Sequence, residues 1–337
     1  MSSKNSDFSR YLSEFLTVYL PYQRGYSKNT IYSYRDTFKR LLLFFENKNV
    51  HPHKIGMDDI NKDNVIDFLN WLSSENKVSA STLNNRLAAI KSFLHYVVFA
   101  SPENLYNFQQ VFEISFKKKP GKIIPSLSLS QIKNIFNAVE TNSKQGLREL
   151  AILSVLYDSG ARVQELADLR VQDFCAGTNP YLLLRGKGNK SRKVPITQEV
   201  SKLIQKYKQT FRLDEQSKGM SPLFFNNRGE KLTRSGITYI LNKYVQIARE
   251  KDQSIPVHVH CHMMRHSKAF HLLEAGVALP YIQDFLGHAD VTTTQVYARA
   301  SLEMKAKAIN KAYPTLVEDR PEDWTEKPEL MEFLESL

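Results

Sequence analysis

The stretch HMMRHSKAFHLLEAGVALPYIQDFLGHADVTTTQVY, residues 262–297, lays out helices and the turns between them. Its apolar spacing predicts helices over 264–275, 280–286 and 292–311. Gly287 ends the second of these helices, and Asp290 can cap the third. His262 and Arg265 are three residues apart, so on a helix they share one face. They can converge on one phosphate, with proton transfer from the imidazole and charge neutralisation by the guanidinium.

Tyr297 lies about two turns into the third predicted helix, nine residues after His288 in the turn. A phenol has an unperturbed pKa of about 10, so it is a useful nucleophile only beside bases and cations that stabilise phenolate. The alternative is a buried tyrosine that packs on the preceding helix. Tyr281 and Tyr313 are rival nucleophiles, but neither follows a Leu-Gly-His segment.

The segment GARVQEL, residues 160–166, is also suited to a phosphodiester. Arg162 begins a helix, which puts a bidentate cation beside free backbone N–H groups and makes a natural phosphate seat. Glu165, one turn later, can hold that guanidinium in place. A surface salt bridge is the alternative explanation for this pair.

The segment GKGNK, residues 186–190, joins two predicted strands over 181–185 and 192–196 as a β-hairpin. The glycines allow a tight turn and a close approach to a ligand. Lys187 at the tip can reach a DNA groove and donate a proton, and Lys190 can contact DNA. A charged, exposed turn is the alternative.

The first hundred residues predict a helical bundle. Apolar residues at spacings of three and four mark helices over 31–45 and 83–97, with a third periodic stretch over 65–72. The candidate capping residues are Ser27, Asn29, Ser79 and Ser81. Arg86 and Lys91 lie opposite the apolar face of their helix. A DNA-facing surface and a solvated basic face both fit this pattern.

A basic segment, FKKKPGKIIPS (residues 116–126), ends the helical pattern and predicts a linker. Its lysines can contact phosphates, although a solvated tether is the alternative; they are Lys117, Lys118, Lys119 and Lys122. We therefore expect four regions: a helical domain over 1–112, a linker over 113–126, a second domain over 127–315 and an acidic tail over 316–337.

Charge and composition favour a nucleic-acid partner. The chain has 337 residues and a net charge of +11, and residues 318–337 carry −6, so the remainder carries +17. Such a basic body suggests a polyanion. The polar N-terminus does not resemble a signal peptide, and the apolar runs are too short to span a bilayer. Two cysteines are no disulfide framework, so we expect a cytoplasmic protein without membrane partners.

Taken together, the motifs resemble those of the tyrosine recombinase (phage integrase) family. They are Arg162, Lys187, His262-x-x-Arg265, Leu-Gly-His288 and Tyr297, and the hairpin resembles the Xer branch especially. The resemblance covers about residues 8–312, because the segments SKNTIYSYRDTFKRLLLFF and STLNNRLAAIKSFLHYVV look like the family's core-binding domain. It implies a mainly helical, two-domain DNA clamp: a SAM-like helical bundle and a mixed α+β catalytic domain with a small β-hairpin or sheet.

The resemblance also implies a mechanism. Tyr297 attacks the scissile phosphate and forms a 3′-phosphotyrosyl link, while Arg162 and Arg265 clamp its non-bridging oxygens. His262 assists removal of the phenol proton. Lys187 is the acid that protonates the leaving 5′-oxygen, and His288 donates a hydrogen bond to the phosphate. Glu165 supports Arg162. The family needs no metal, ATP or other cofactor, and four protomers act on a specific double-stranded DNA site through a Holliday junction.

Several alternatives accompany this resemblance. A cluster of nitrogen and sulfur ligands could bind zinc, although zinc sites usually draw paired ligands from separated segments; its members are His258, His260, Cys261 and His262. A type IB topoisomerase would share the chemistry, and a DNA-binding regulator would lack it. Mobile-element integration, excision or transposition is the role we expect, with Xer-type dimer resolution as the alternative. Met263–Met264 and Lys268 depart mildly from the family pattern.

The spacing of apolar residues in the acidic tail predicts a helix with one apolar face, made of Leu330, Phe333, Leu334 and Leu337. Because family members often pass a C-terminal segment to a neighbour, this tail could dock in trans. It could also fold back on its own basic surface, or be a disordered solubilising tail.

Overall fold

The computed structural model describes residues 7–76, 78–102, 105–118, 125–186, 190–214 and 218–287, with 332, 335 and 336, although not the side chains of 75, 76 and 107. The chain divides into two compact units, Met1–Lys122 and Ile123–Leu337, and the division falls within the predicted linker. Each unit has its own hydrophobic core. The prediction of a mainly helical protein with one small sheet is confirmed.

The first unit consists of helices. These are α1 (Asp7–Glu14), a π-helix (Phe15–Gln23), α2 (Lys28–Asn47), α3 (Lys62–Asn76), α4 (Ala80–Ala100) and α5 (Leu105–Phe112), with 3-10 turns at Pro52–Lys54 and Met57–Asp59. Ser27 caps α2 by accepting from the Thr30 N–H, and Ser79 caps α4 by accepting from the Thr82 N–H. At each helix the structure therefore selects the first of the two predicted caps.

The second unit combines helices with a three-stranded sheet. Its helices are α6 (Leu129–Asn137), α7 (Lys144–Asp158), α8 (Val163–Ala167), α9 (Gln198–Thr210), α10 (Arg234–Lys251), α11 (Cys261–Glu274) and α12 (Leu279–Leu286), with a 3-10 turn at Val171–Asp173. The strands are β1 (Phe174–Cys175), β2 (Tyr181–Arg185) and β3 (Ser191–Pro195). All pairs are antiparallel, in the order β1-β2-β3.

The sheet and three helices bring together the predicted motifs that the structure describes. Arg185 pairs with Ser191, so β3 begins one residue earlier than predicted, and buried Leu182 faces buried Val194. Helix α11 packs against α7 and α12, and α12 also lies against β3. A small apolar cluster joins α11 to α12; its buried members are Ala269, Phe270, Leu273, Ile282 and Leu286. Among the described ranges, no helix has the length and apolarity to cross a bilayer.

Candidate active site

Arg162 stands directly before α8, at the sharp turn that follows α7. Gly160 makes this turn with a φ of +55°, and a Cβ there would come within 3.1 Å of the Leu286 and Phe285 side chains. The Glu165 carboxylate accepts from the Arg162 backbone N–H at 2.9 Å and from its guanidinium at 2.8 Å. The Arg162 side chain is 41% exposed and that of Glu165 only 4%, so the cation reaches solvent and its carboxylate partner does not.

Arg192, on β3, belongs to this site and was missed by the sequence reasoning. Its guanidinium donates to both Glu165 carboxylate oxygens, at 3.0 and 2.9 Å, and its Nε donates to the Phe285 carbonyl at 3.0 Å. The side chain is only 13% exposed. The sequence offered no signal for it, because Arg192 is one of several basic residues in KSRK and its partners lie 27 and 93 positions away.

Arg265 lies on α11 and is fully buried. Its guanidinium donates to the Gly160 carbonyl at 2.7 Å and to the Leu286 carbonyl at 2.6 Å. These carbonyls lie at the C-terminal ends of α7 and α12, where helix carbonyls lack intrahelical partners and positive charge is favourable. Arg265 therefore ties two helix ends together, and its contact with a DNA phosphate stays a prediction.

Three consecutive carbonyls at the end of α12 are each held by a different arginine, and we call these three arginines the arginine cluster. The pairs are Arg192 with Phe285, Arg265 with Leu286 and Arg162 with Gly287, at 3.0, 2.6 and 3.3 Å. Gly287 has a φ of +64°, the left-handed conformation in which glycine commonly ends a helix. The arginine cluster thereby fixes the backbone immediately before His288.

His262 occupies the first turn of α11. Burial lowers the pKa of its imidazole below the usual range, and electrostatic interactions with Arg265, His260 and Arg162 lower it further. Both predicted phosphate-binding arginines therefore act electrostatically on this imidazole. A lowered pKa keeps His262 neutral at pH 7, and only the neutral form can accept a proton.

His260 has a structural role that the zinc hypothesis did not foresee. It caps α11, because its Nδ1 accepts from the Met263 N–H at 3.0 Å. The Cys261 side chain is buried. Within the part of the chain that the structure describes, no group of three or more histidine, cysteine, aspartate or glutamate side chains is arranged to hold a metal ion.

Three predicted catalytic residues, Lys187, His288 and Tyr297, lie outside the described residues, as do Asp290 and the helix predicted over 292–311. The structure does describe both strands of the hairpin that carries Lys187. The Gly186 N–H donates to the Lys190 carbonyl at 2.8 Å, which closes the base of the turn, and the Lys190 side chain is exposed.

The predicted DNA-binding residues of the first unit have different surroundings. Arg86 donates to the Ser33 carbonyl and the Thr37 hydroxyl, at 3.1 and 3.0 Å. Lys91 donates to two backbone carbonyls, those of Phe112 and Ile114, at 2.7 Å each. Burial lowers the pKa of both Arg86 and Lys91. These cations hold the bundle together, so we do not include them among the DNA contacts proposed below.

The basic segment is only partly described. Lys117 and Lys118 are exposed, and the Lys117 backbone is paired through both its N–H and its carbonyl with the Asn84 side chain at 2.9 Å. Two other predicted contacts, Lys119 and Lys122, lie outside the described residues.

Comparisons with known proteins agree with this architecture. Residues 125–304 match the Phage integrase family, and residues 12–100 match the Phage integrase, N-terminal SAM-like domain. Tyrosine recombinase XerD of Rickettsia prowazekii is 34% identical over 310 residues, which cover 89% of this chain and 95% of that protein. The protein y4rC of Sinorhizobium fredii, named as an integrase/recombinase, is 33% identical over 341 residues, covering 99% of this chain and all of the relative.

Two solved structures share the fold. The XerH site-specific recombinase bound to palindromic difH substrate has a TM-score of 0.68 at 19% identity, covering 92% of this chain and 91% of its own. The Tn1549 transposon integrase in complex with transposon right end DNA has a TM-score of 0.65 at 17% identity, covering 90% and 98%. Because the catalytic-domain match alone spans more than half of its residues, the chain belongs to the phage integrase family of tyrosine recombinases, enzymes that cleave and rejoin DNA strands.

Proposed function

We propose that Tyr297 attacks a scissile DNA phosphate and forms a 3′-phosphotyrosyl link, which frees a 5′-hydroxyl. The observation that best supports this proposal is the arginine cluster at the end of α12. It fixes the backbone from Phe285 to Gly287, ten residues before Tyr297, in a strongly cationic setting. A phenol needs such cations to react as phenolate near neutral pH.

In this proposal Arg162 and Arg265 bind the non-bridging phosphate oxygens and offset the charge that develops in the transition state. The exposure of the Arg162 guanidinium supports its share of this role. His262 takes the phenol proton, and the lowered pKa of its imidazole supports that assignment because the neutral form dominates at pH 7.

The remaining roles go to residues at the edge of the site. Lys187 protonates the leaving 5′-oxygen, and its position in the sequence between the paired strands β2 and β3 supports this assignment. His288 hydrogen-bonds the phosphate, since it directly follows the residues that the arginine cluster holds. Glu165 orients Arg162 through the contact at 2.8 Å.

Strand exchange follows when the 5′-hydroxyl of another strand attacks the phosphotyrosine and releases Tyr297. The bond energy is conserved in the protein–DNA link, so the reaction needs no ATP, and the cationic side chains take the electrostatic role that a metal would have. Two duplexes have four scissile phosphates in all, so we propose a tetramer on a specific double-stranded site, acting through a Holliday junction. Exposed lysines that we expect to contact DNA phosphates are Lys117, Lys118 and Lys190.

Trapping on nicked DNA tests the nucleophile. Duplexes carry the DNA that flanks the gene, with a nick near each candidate cleavage position, so that the released fragment diffuses away and the covalent adduct accumulates. We expect wild type to form an adduct that survives denaturation, and Tyr297→Phe to form none. Tyr281→Phe is the matched control, because it removes an exposed phenolic hydroxyl from α12, and it should behave as wild type. A wild-type level of adduct with Tyr297→Phe would overturn the assignment.

As the biological role we propose integration and excision of a mobile element in the cytoplasm. The full-length match to a protein named as an integrase/recombinase supports this choice over dimer resolution. Primers that point outward from the two ends of the element amplify only the joined ends of an excised circle. This product should form in cells that carry the wild-type gene and not in those with Tyr297→Phe. Recombination confined to chromosome or plasmid dimers would instead indicate resolution.

We also propose that the acidic tail docks on a neighbouring protomer. Its charge of −6 over residues 318–337 is opposite to that of the basic body, which favours association. Deletion of 316–337 should weaken assembly on DNA while leaving single-site binding intact. Tighter single-site binding after the deletion would indicate an inhibitory tail that folds on its own protomer, and no change would dismiss both forms of docking.

A further inference from the structure

We propose that Arg192 is a positioning residue that neutralises Glu165, so that the charge of Arg162 is left for the DNA phosphate, and that it seats the turn at Gly287. This inference rests on the proposed function of the same site. It gives a role to a residue that lies outside the motif of arginines, histidines, lysine and tyrosine described above.

The first support is the balance of charge. Glu165 accepts four hydrogen bonds, two from Arg162 and two from Arg192. Burial alone would raise the pKa of Glu165, but hydrogen bonds and charge from Arg192 and Arg162 bring it below its usual range, so the carboxylate is ionised at pH 7. One carboxylate between two guanidinium groups leaves a net charge of about +1. Without Arg192, Arg162 and Glu165 would form a neutral pair with little attraction for a phosphate.

The second support is the difference in exposure between the two arginines. The Arg192–Glu165 pair is the buried side of the group, with side chains 13% and 4% exposed. Arg162 is the solvent side, with 41% of its side chain exposed. A bidentate pair in a buried setting is strong and fixed in geometry, so Arg192 is suited to compensate charge and Arg162 to meet the ligand.

The third support is the contact between Arg192 and the end of α12. Its Nε donates to the Phe285 carbonyl at 3.0 Å, and a Cβ on Gly287 would come within 2.9–3.0 Å of three atoms of the Arg192 side chain. Gly287 is favoured by its positive φ, and a Cβ at this position would displace the Arg192 side chain packed against it. Through Arg192, β3 of the hairpin that carries Lys187 is attached to the turn that leads into His288.

A charge-restoration experiment separates this role from plain packing. Arg192→Met should reduce adduct formation on nicked DNA by at least about 100-fold, the scale on which single electrostatic contacts act, with a much smaller change in binding of intact duplex. Arg192→Met combined with Glu165→Gln returns the group to its original net charge, and the amide introduced by the second substitution still offers Arg162 an acceptor oxygen. We therefore expect the double variant to recover at least about tenfold over the single variant.

Arg185→Met is the matched control. Arg185, on β2, forms a bidentate pair with buried Asp173 at 2.5 and 2.6 Å, so its loss breaks a similar ion pair in the same sheet. We expect adduct formation near the wild-type level for this variant. Amide hydrogen exchange without DNA gives a second measurement: residues 279–287 should exchange faster in Arg192→Met and not in Arg185→Met.

The outcomes are distinct. If wild type forms no adduct that Tyr297→Phe abolishes, the proposed function fails, although the exchange measurement still tests the contact of Arg192 with α12. If wild type reacts and Arg192→Met reacts equally well, only the role of Arg192 is overturned. A deficit in Arg192→Met that Glu165→Gln does not relieve at all would overturn the charge argument.

Discussion

The two units use their hydrogen-bonded cations differently. In the helical unit, Lys91 donates to the Phe112 and Ile114 carbonyls, and Arg86 donates to the Ser33 carbonyl. In the catalytic unit the arginine cluster also donates to backbone carbonyls, but two of its members pair with one buried glutamate and one of them reaches solvent. The first arrangement attaches helices to each other, whereas the second also leaves a positive charge facing outward.

This comparison shows that cations on a basic helix face can also serve the fold itself. Arg86 and Lys91 lie opposite the apolar face of α4, yet both are half-buried and donate hydrogen bonds to neighbouring segments. A long cationic side chain readily caps carbonyls at the ends of nearby helices. An excess of cations over carboxylates, with one cation exposed, is the better indicator of an anion site.

The largest effect should come from Arg265→Met. The substitution removes the donors to the Gly160 and Leu286 carbonyls in a fully buried place. An unsatisfied buried carbonyl costs about 1–3 kcal/mol, so we expect the free energy of unfolding to fall by about 3 kcal/mol. We also expect no covalent adduct on nicked DNA. Chemical denaturation followed by circular dichroism, together with the trapping assay, measures both.

Arg249→Met is the control for that prediction. Arg249 donates to the Ile255 carbonyl in the same unit, outside the arginine cluster. We expect a smaller loss of stability and an unchanged adduct level. If Arg265→Met were no less stable than Arg249→Met, the link between α7 and α12 would not have the importance that the structure gives it.

Lys91→Met should have a smaller effect, which falls on stability and not on DNA binding. We expect the stability of the helical unit to fall by about 1–3 kcal/mol, because the carbonyls of Phe112 and Ile114 lose a charged donor. The slope of DNA affinity against salt concentration should not change, because this ammonium already donates to two backbone carbonyls. The measurements are denaturation and DNA binding at several salt concentrations.

Lys118→Met should show the reverse pattern. Lys118 is exposed in the basic segment, so its loss should leave stability unchanged and reduce the salt slope by about one unit if it contacts a phosphate. A reduced slope for Lys91→Met, with an unchanged slope for Lys118→Met, would reverse our assignment of the two lysines.

Much of the fold could be predicted because the extent of a helix depends largely on local sequence, such as apolar spacing and capping residues. Three-and-four spacing and serine caps placed α2 and α4, and Gly287 marked where α12 ends. The π-helix over Phe15–Gln23 could not be predicted in this way. Its two buried residues, Phe15 and Leu20, are five apart, a spacing that belongs to a wider turn than the α-helix.

Contacts between residues far apart in the sequence could not be predicted, for a different reason. Lys268, a mild departure from the family pattern, forms an ion pair with Asp158 at 2.9 Å, and the two lie 110 positions apart with little exposure. Met263 and Met264 belong to the buried core. The structure thus gives all three departures a packing role. Arg192 was missed for the same reason, because no local pattern connects it with Glu165.

The smallest effect we predict concerns the pKa of His262, and it tests whether the arginine cluster acts on this imidazole through space. Burial is the main cause of the lowered pKa, and the charge of Arg162 adds to it. Arg162→Gln should therefore raise this pKa, which stays below its usual range because the imidazole remains buried. Two-dimensional NMR titration of the histidine ring protons measures this directly and does not depend on activity.

The same shift has a consequence for stability whose sign is fixed by linkage. Because folding lowers the pKa of His262, its neutral form contributes stability above about pH 6.5, and this contribution is lost as the pH falls through the folded-state pKa. Arg162→Gln brings the folded-state pKa of His262 closer to its unfolded-state value. The free energy of unfolding should therefore fall slightly less on acidification. Arg185→Gln, in the same sheet but paired with Asp173, should leave both the titration and the acid response of His262 as in wild type. Equal shifts in the two variants would show that the imidazole responds to net charge alone and not to the neighbouring guanidinium of Arg162.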